Sequence, residues 1–443
     1  MLTNQFVNDL TDIHMNHRDT SLGDRLNLFR TLMRREVPGQ LVIQLTDRCN
    51  ALCPQCGMRK TEAFPRSTLP VDDVKRMIDR AAENGIKVIS FTGGEPLLLL
   101  NDLVTLANHA GNAGIKYIRT GTNGFLFSNS HRRLFCSRVT RLAERLAATP
   151  IRNLWISIDS AIPAIHEEMR GLPGVIKGIE KAIPIFHEHG IYPSANLGIN
   201  RNIGGELTKR LRRGCSSEND SGGGLFYEAF RTAFRDFYRF VVGLGFTIVN
   251  CCYPMSSNHD QEASDLKPVY AATSEDRVVT FSRREKALLF QAALDTIPEF
   301  RSKIRIFSPR TSLYALIGQY TEGPQKAYPC RGGIDFFFVS CEDGNVYPCG
   351  YRGDENLGKY WNMDRKVLKN GFACYQCDWE CFRDPSELFG PLLHVLSDPF
   401  GFLKRIRRDA RYFRLWIDDL KYYRACDLFD GRKPPDLARL RAL

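Results

Sequence analysis

Cys49-Asn50-Ala51-Leu52-Cys53-Pro54-Gln55-Cys56 places three thiols on eight residues with C-x3-C-x2-C spacing. With 14 cysteines in 443 residues, random placement would give this array on the order of 0.01 times, so the spacing carries information. Three thiolates on one short loop can each hold one iron of a [4Fe–4S] cube, which ordinarily takes four cysteines. The fourth iron is then open, and an open iron that chelates a small molecule turns an electron carrier into a catalytic centre. Two other readings of the same spacing stand beside this one: a zinc knuckle, or a cube completed by a distant cysteine.

A second set of thiols lies near the C-terminus. Cys330 is followed by thirteen residues, Gly344, four residues and Cys349, and later by Cys374-x2-Cys377-x3-Cys381. Asp343-Gly344-Asn345 is a hairpin signal between the apolar runs 336–340 and 346–347, and a hairpin there brings Cys330 and Cys349 together. Thiolates of the 374–381 segment can then complete a fully cysteine-ligated cluster. Counting Cys341 and Cys426 as well gives seven candidates, one short of two four-cysteine clusters. One auxiliary cluster is therefore favoured, with two, one of them incompletely ligated, as the alternative. A zinc ribbon of Cys330, Cys349, Cys374 and Cys377 is the other reading. Cys136, Cys215, Cys251 and Cys252 lack ligand spacing and read as buried free thiols.

These residues need a scaffold, and its period is visible. Apolar runs at 41–45, 87–91, 116–120, 154–158, 192–199 and 246–252 alternate with amphipathic segments such as 71–83, whose Val74, Met77, Ile78 and Ala81 recur at helical spacing. Six strand–helix units in a row predict an α/β fold, a partial (β/α)6 barrel with right-handed crossovers, followed by a C-terminal cysteine-rich β-hairpin domain for the auxiliary cluster. Catalytic groups in such folds sit at the carboxyl ends of the strands. The three-cysteine array follows the first strand, Thr92-Gly93-Gly94-Glu95-Pro96 ends the second, Gly121-Thr122-Asn123-Gly124 ends the third, and Ser157 and Asp159 end the fourth. Alternate strand positions share a face, so Ser157 and Asp159 are expected to point together into the barrel mouth. The Gly-, Ser- and charge-rich stretch 202–224 reads as an exposed loop, with a lid as the alternative, and 256–276 as a polar linker before a helix at 282–295. The expected division is an N-terminal amphipathic segment (1–38), the core (39–255), a linker and helical segment (256–325), the auxiliary cluster domain (326–385) and a basic aromatic tail (386–443).

With 43% apolar and 25% charged residues the chain is neither disordered nor fibrous. It has no run of about 18 uncharged apolar residues and no basic signal sequence at its start, which predicts a cytoplasmic protein. Thiols in a reducing compartment are expected to bind metal rather than to form disulfides. The net charge is +11, and residues 401–443, with twelve basic and six acidic side chains, supply six of that excess. In Leu22–Glu36 and again in the tail, apolar residues (Phe402, Ile406, Phe413, Trp416, Ile417, Leu420) interleave with arginines (Arg405, Arg408, Arg411, Arg414). One reading is helices packed on the barrel with solvated basic faces. The other is peripheral contact with an anionic membrane, suited to a lipid-like substrate. No nucleic acid partner is expected.

Taken together, the motifs resemble the radical S-adenosylmethionine (SAM) superfamily, whose hallmark is this cysteine array directly after strand one. The resemblance implies that Cys49, Cys53 and Cys56 hold a SAM-binding [4Fe–4S] cluster. It implies that Gly93, Gly94, Glu95 and Pro96 are the GGEP motif, the glycines giving the ligand access to bare backbone and Glu95 facing the methionyl ammonium. It further implies that Asn123, Ser157 and Asp159 contact SAM, with Arg170 reaching its carboxylate. Gln55 stands where many members carry an aromatic residue, which bears on adenine packing rather than on the cluster. The C-terminal thiols resemble the SPASM or shorter twitch extension, C-x(9–15)-G-x4-C, although the later part has fewer cysteines than the full pattern. Cys330, Cys349, Cys374, Cys377 and Cys381 are then ligands of at least one auxiliary [4Fe–4S] cluster. The implied activity is reductive cleavage of SAM to a 5′-deoxyadenosyl radical, which abstracts hydrogen from an unactivated C–H bond of a peptide or lipid-like substrate, with a flavodoxin- or ferredoxin-type electron donor. About forty residues before the first strand are too few for a fused leader-binding winged-helix domain. The alternative function is a non-catalytic iron–sulfur or zinc scaffold that binds a partner.

Overall fold

Each of the six apolar runs forms a strand in the computed structural model, which describes residues 31–60, 66–211, 221–254, 266–274, 276–323, 326–364 and 374–443. These are β1 (Gly39–Gln44), β2 (Ile86–Thr92), β3 (Tyr117–Thr122), β4 (Ile151–Ser157), β5 (Ser194–Gly198) and β6 (Ile248–Cys252). Consecutive strands pair in parallel. The crossovers carry α1 (Val71–Glu83), α2 (Leu100–Asn112), α3 (Phe135–Ala147), α4 (Pro163–Arg170), α5 (Val175–Glu188) and α6 (Ser221–Gly243). Helical spacing delivers the burial it promised, since α1 buries Val74, Met77, Ile78 and Ala81. Burial of such side chains contributes roughly 1.5–3 kcal/mol for each large one.

The sheet extends beyond these six units at both edges. Its order is β7-β6-β5-β4-β3-β2-β1-β8-β9, with β7 (Arg305–Ile306) beyond β6, and β8 (Phe336–Val339) and β9 (Val346–Tyr347) beyond β1. β8 runs parallel to β1, while β9 returns antiparallel as the hairpin signal at Gly344 requires. The cysteine-rich hairpin is thus a continuation of the barrel's sheet, not a sheet of its own. Period-two alternation sorts the side chains: Leu41 and Ile43 enter the helix-covered core, while Val42 turns inward onto Phe336 and Phe338.

Two expectations about connecting segments change. Within 202–224 a single turn at Glu206–Lys209 and the start of α6 are described, and 212–220 lies outside the described residues. The segment expected as a polar linker is a strap from residue 266 onward. Ala271 and Ala272 are buried with Met58, against Cys56 and Tyr270. Ala272 O accepts the Gly57 amide at 3.3 Å and Ser274 Oγ donates to Pro54 O at 2.9 Å.

The basic tail is also resolved. After α7 (Arg283–Thr296) and α8 (Arg310–Thr321) come α9 (Glu380–Ser397), α10 (Pro399–Arg408) and α11 (Ala410–Ala425). Phe402, Phe413 and Trp416 are buried with Ala315 of α8, and Ile406, Ile417 and Leu420 pack around them. Trp416 Nε1 donates to Leu388 O at 2.9 Å. The membrane reading of the tail is therefore corrected: its apolar stripe is already covered by α8 and α9. Of Leu22–Glu36 only 31–36 are described, with Leu32 buried and Met33 exposed. Among the described residues no helix is long and apolar enough to cross a membrane. Trp416→Ala should lower the free energy of unfolding by about 3–5 kcal/mol, whereas Phe400→Ser, at a side chain 85% exposed on α10, should stay within about 0.5 kcal/mol. Urea titration reads both, and equal effects would contradict this packing.

Candidate active site

The loop 49–56 leaves the carboxyl end of β1 and has almost no regular structure of its own. Its position is set by other elements. Arg170 O accepts the Leu52 amide at 2.9 Å, and Cys49 Sγ lies 3.4 Å from the Ala51 amide. Cys49, Cys53 and Cys56 are all free thiols. Burial, reinforced by the neighbouring sulfurs, pushes Cys53 up to about 11 and Cys56 up to about 12. They are protonated at neutral pH, so loading with metal must displace protons.

The end of β2 is fastened to the entry of that loop. Gly94 N donates to Thr46 O at 2.7 Å and Glu95 N to Arg48 O at 2.9 Å. A Cβ on Gly94 would stand 2.0 Å from Arg48 O, and one on Gly93 2.4 Å from Thr46 O. These glycines make room for the chain leading into the cysteines. Glu95 is fully buried; its Oε1 accepts the Leu97 amide at 3.0 Å and its Oε2 the Asn123 amide at 2.6 Å. Burial raises it to about 7 against the pull of those bonds. The Thr122 hydroxyl is a third donor to this carboxylate. Pro96, also buried, starts the short turn at 96–99. Asn123, at the end of β3, donates from Nδ2 to Asn50 Oδ1 at 2.8 Å, with Cys49 Sγ 3.6 Å away. The ends of β2 and β3 and the cysteine loop thus form one hydrogen-bonded unit.

Ser157 ends β4 on the inner face, in register with Asn196 of β5. Asp159 differs from expectation. Its two oxygens accept Arg170 Nε at 2.7 Å and Nη2 at 2.9 Å, a bidentate pair with Asp159 fully buried. Neither Asp159 nor Arg170 is therefore free to reach a cofactor as the sequence suggested: each charge is satisfied by the other, since a buried charge demands a partner. Arg170 instead backs the cysteine loop, where its guanidinium stabilises the thiolate forms of Cys53 and Cys56. His166 completes this support, its Nδ1 accepting the Asp159 amide at 3.1 Å. Burial lowers it to about 4, and the nearby Asp159 only partly opposes that shift.

In the C-terminal region Cys330, Cys349, Cys374 and Cys377 line a single cavity together with Arg352 and Trp379. A backbone bridge between Cys330 and Cys374 (2.8 Å) closes one side. Burial raises Cys330, Cys349 and Cys377, with Cys349 at about 12. Among the described residues no set of three His, Cys, Asp or Glu side chains is arranged around one point to hold a single metal ion. A cube spreads its thiolates farther apart than one tetrahedral ion does, and four thiols around one cavity is the donor set a closed [4Fe–4S] cluster takes. Arg352 and Arg383 supply positive charge beside these sulfurs. Cys341 is buried against Gln44, whose Nε2 lies 3.1 Å from its sulfur, and Cys426 is buried beside Tyr422, so neither joins the set.

Cys381 does not line that cavity, but it packs with Cys374 and Cys377 against the apolar cluster that holds Cys330 and Cys349. It sits in the first turn of α9 and faces Glu380, whose Oε1 is 3.7 Å from its sulfur. Glu380, raised to about 7 by burial, also accepts from Cys252 at the end of β6 and from the Tyr253 amide at 3.3 Å. Tyr270, from the strap, packs with Cys56 around Met58, Ala271 and Ala272. Its hydroxyl is 3.3 Å from Thr92 Oγ1, and its ring is 5.9 Å from that of Trp379. The sequence offered no signal for Tyr270 or Trp379, because their role is purely one of three-dimensional placement.

Residues 43–203 match the Radical SAM superfamily. These residues are a radical SAM domain. The chain is 25% identical over 315 residues to an AdoMet-dependent heme synthase of Methanosarcina barkeri, covering 71% of this chain and 77% of that protein. A GTP 3′,8-cyclase of Alkaliphilus metalliredigens is 30% identical over 146 residues, 32% of this chain and 42% of the cyclase. Among solved structures, SuiB of Streptococcus suis aligns at 16% identity and a TM-score of 0.48, covering 81% of this chain and 73% of SuiB.

In this radical SAM enzyme the neutral His166 ties stability to pH. Its folded value lies below the unfolded one near 6.5, so its contribution is present above pH 6.5 and lost as the pH falls towards 4. Denaturant titrations of the cluster-free protein should show the wild type losing roughly 3 kcal/mol more than His166→Gln between pH 7 and pH 4. Parallel losses would mean that His166 is not held neutral.

Proposed function

We propose that this radical SAM enzyme takes hydrogen from an unactivated C–H bond of a peptide-like substrate held at the barrel mouth. The observation that carries the reading is the joining of three free thiols, through Asn123 and Glu95, to the ends of β2 and β3. When bound, the reduced cluster and SAM together supply a 5′-deoxyadenosyl radical. The protein's own residues do the rest. Cys49, Cys53 and Cys56 would hold the SAM-binding cluster. Glu95, at the centre of the β2–β3 junction, accepts from the ammonium, and Ser157 lies on the inner face to meet the ribose. Arg170 offsets thiolate charge from behind, and the strap at 266–274 covers the loop and limits entry of water.

Cys330, Cys349, Cys374 and Cys377 hold one auxiliary [4Fe–4S] cluster in this reading. A lipid-like substrate loses its main support because the apolar stripe of the tail is buried. An acidic flavodoxin- or ferredoxin-type electron donor suits a chain of net charge +11.

Anaerobic reconstitution separates this function from a non-catalytic scaffold. Wild type should bind about eight irons and release 5′-deoxyadenosine from SAM with dithionite. Cys53→Ala should lose about four irons and all cleavage. Cys377→Ala should lose about four irons but keep uncoupled cleavage, and Cys381→Ala should keep all eight. Full iron content in the wild type without any 5′-deoxyadenosine would sink the catalytic reading.

A further inference from the structure

Helix α10 has two faces, and only one of them is used in packing. Phe402 is buried with Phe413 and Trp416, and Ile406 packs beside it. Arg405 lies 3.9 Å from the centre of the Tyr328 ring and donates to Lys326 O at 2.9 Å. Phe400, Leu403, Lys404, Arg407 and Arg408 recur at i, i+3, i+4, i+7 and i+8, so they share the opposite face. All five are exposed, Phe400 by 85% and Leu403 by 39%. Leu396, near the end of α9, is 41% exposed, and every residue from 396 to 400 is open to solvent. The corner between α9 and α10 therefore projects from the body of the protein.

The charge on this face is of one sign. The ten residues of α10, Pro399–Arg408, include no acid. The two acids that flank it are occupied by the chain itself: Asp398 Oδ1 accepts the Gly401 amide at 2.8 Å, and Asp409 Oδ1 accepts the Tyr412 amide at 3.1 Å and the Tyr314 hydroxyl at 3.2 Å. What remains outward is two apolar side chains interleaved with three cations. A stable protein interface buries about 800 Å² on each partner around an apolar core from which lysine is depleted. A single projecting helix with cations between its apolar residues offers no such core. An anionic bilayer makes no such demand. Apolar tips enter the boundary between headgroups and acyl chains, while long basic side chains reach back to the phosphates.

We propose that the outward face of α10 rests on an anionic membrane surface, with Phe400 and Leu403 inserted among the headgroups and Lys404, Arg407 and Arg408 on lipid phosphates. The stripe of Phe402 and Ile406, buried against the rest of the tail, fastens α10 to the protein and leaves this second face for lipid. The contact is peripheral and reversible, because each cation near such a surface adds about fivefold in affinity and two apolar side chains add no permanent anchor. It is a property of the surface and does not depend on the radical chemistry.

The test is co-sedimentation of the reconstituted full-length enzyme, under anaerobic conditions, with vesicles of phosphatidylcholine alone or of phosphatidylcholine and phosphatidylglycerol in equal parts. The enzyme should sediment with the anionic vesicles, progressively less as salt is raised, and not with the neutral ones. Phe400→Ser, which leaves folding stability nearly unchanged, should weaken binding by about fivefold or more. Lys404→Glu combined with Arg407→Glu should weaken it by about tenfold or more. Arg141→Glu combined with Lys177→Glu, the same change in net charge at exposed positions of α3 and α5, should bind as the wild type does. Sedimentation with neither preparation would leave a protein as the occupant of this face and would overturn the assignment. Equal binding to both vesicles, unchanged binding by Phe400→Ser, or equal weakening by the two charge-reversed pairs would overturn it as well.

Discussion

Three thiols on an irregular loop can serve a cluster only if something else fixes their positions. In this chain that support is a set of buried contacts from outside the loop. The backbone of β2 runs so close to residues 46–48 that only glycine fits at 93 and 94. Glu95 joins the ends of β2 and β3 from a fully buried site, and the Asp159–Arg170 pair stiffens the wall behind the sulfurs. Losing one member of a buried pair costs several kcal/mol, because the other is left as an uncompensated charge. The loop is therefore rigid by virtue of its surroundings, which is what positioning a reactive ligand requires.

The same economy links the two thiol sites. β8 lies beside β1, so the strand that leads into the first cysteine loop also borders the hairpin that carries Cys349. Phe338, Tyr270 and Trp379 fill the space between, with ring centroids 5.2–6.2 Å apart. Tyr270 meets the first site through Thr92 and the second through Trp379, whose indole lines the four-thiol cavity. The two sites share walls rather than occupying separate bodies.

What could be read in the sequence was what is local. Six strands and the three-cysteine loop follow from period and spacing, and Gly344 marked the turn that brings Cys330 and Cys349 to one cavity. The surroundings of Cys381 were not legible, because it lies in the first turn of α9, where its sulfur faces Glu380. Asp159 and Arg170 looked like two ligands because nothing in a linear chain shows that they neutralise each other. The tail was ambiguous for a related reason: an amphipathic stripe looks the same whether it meets lipid or helices, and only its contact with α8 and α9 decides.

The pairing of β1 with β8 has a consequence for the order of events during synthesis. Val42 and Phe338 are about 300 residues apart in the chain, so one edge of the first strand stays unpaired until more than three-quarters of the polypeptide has left the ribosome. Such a bare edge invites wrong partners, and inserting iron and sulfide into the adjoining loop before that edge closes would fix the metal on an unfinished scaffold. Maturation of this protein is thus expected to be post-translational, with the late hairpin acting as the signal that the nascent chain is ready to receive its inorganic cargo.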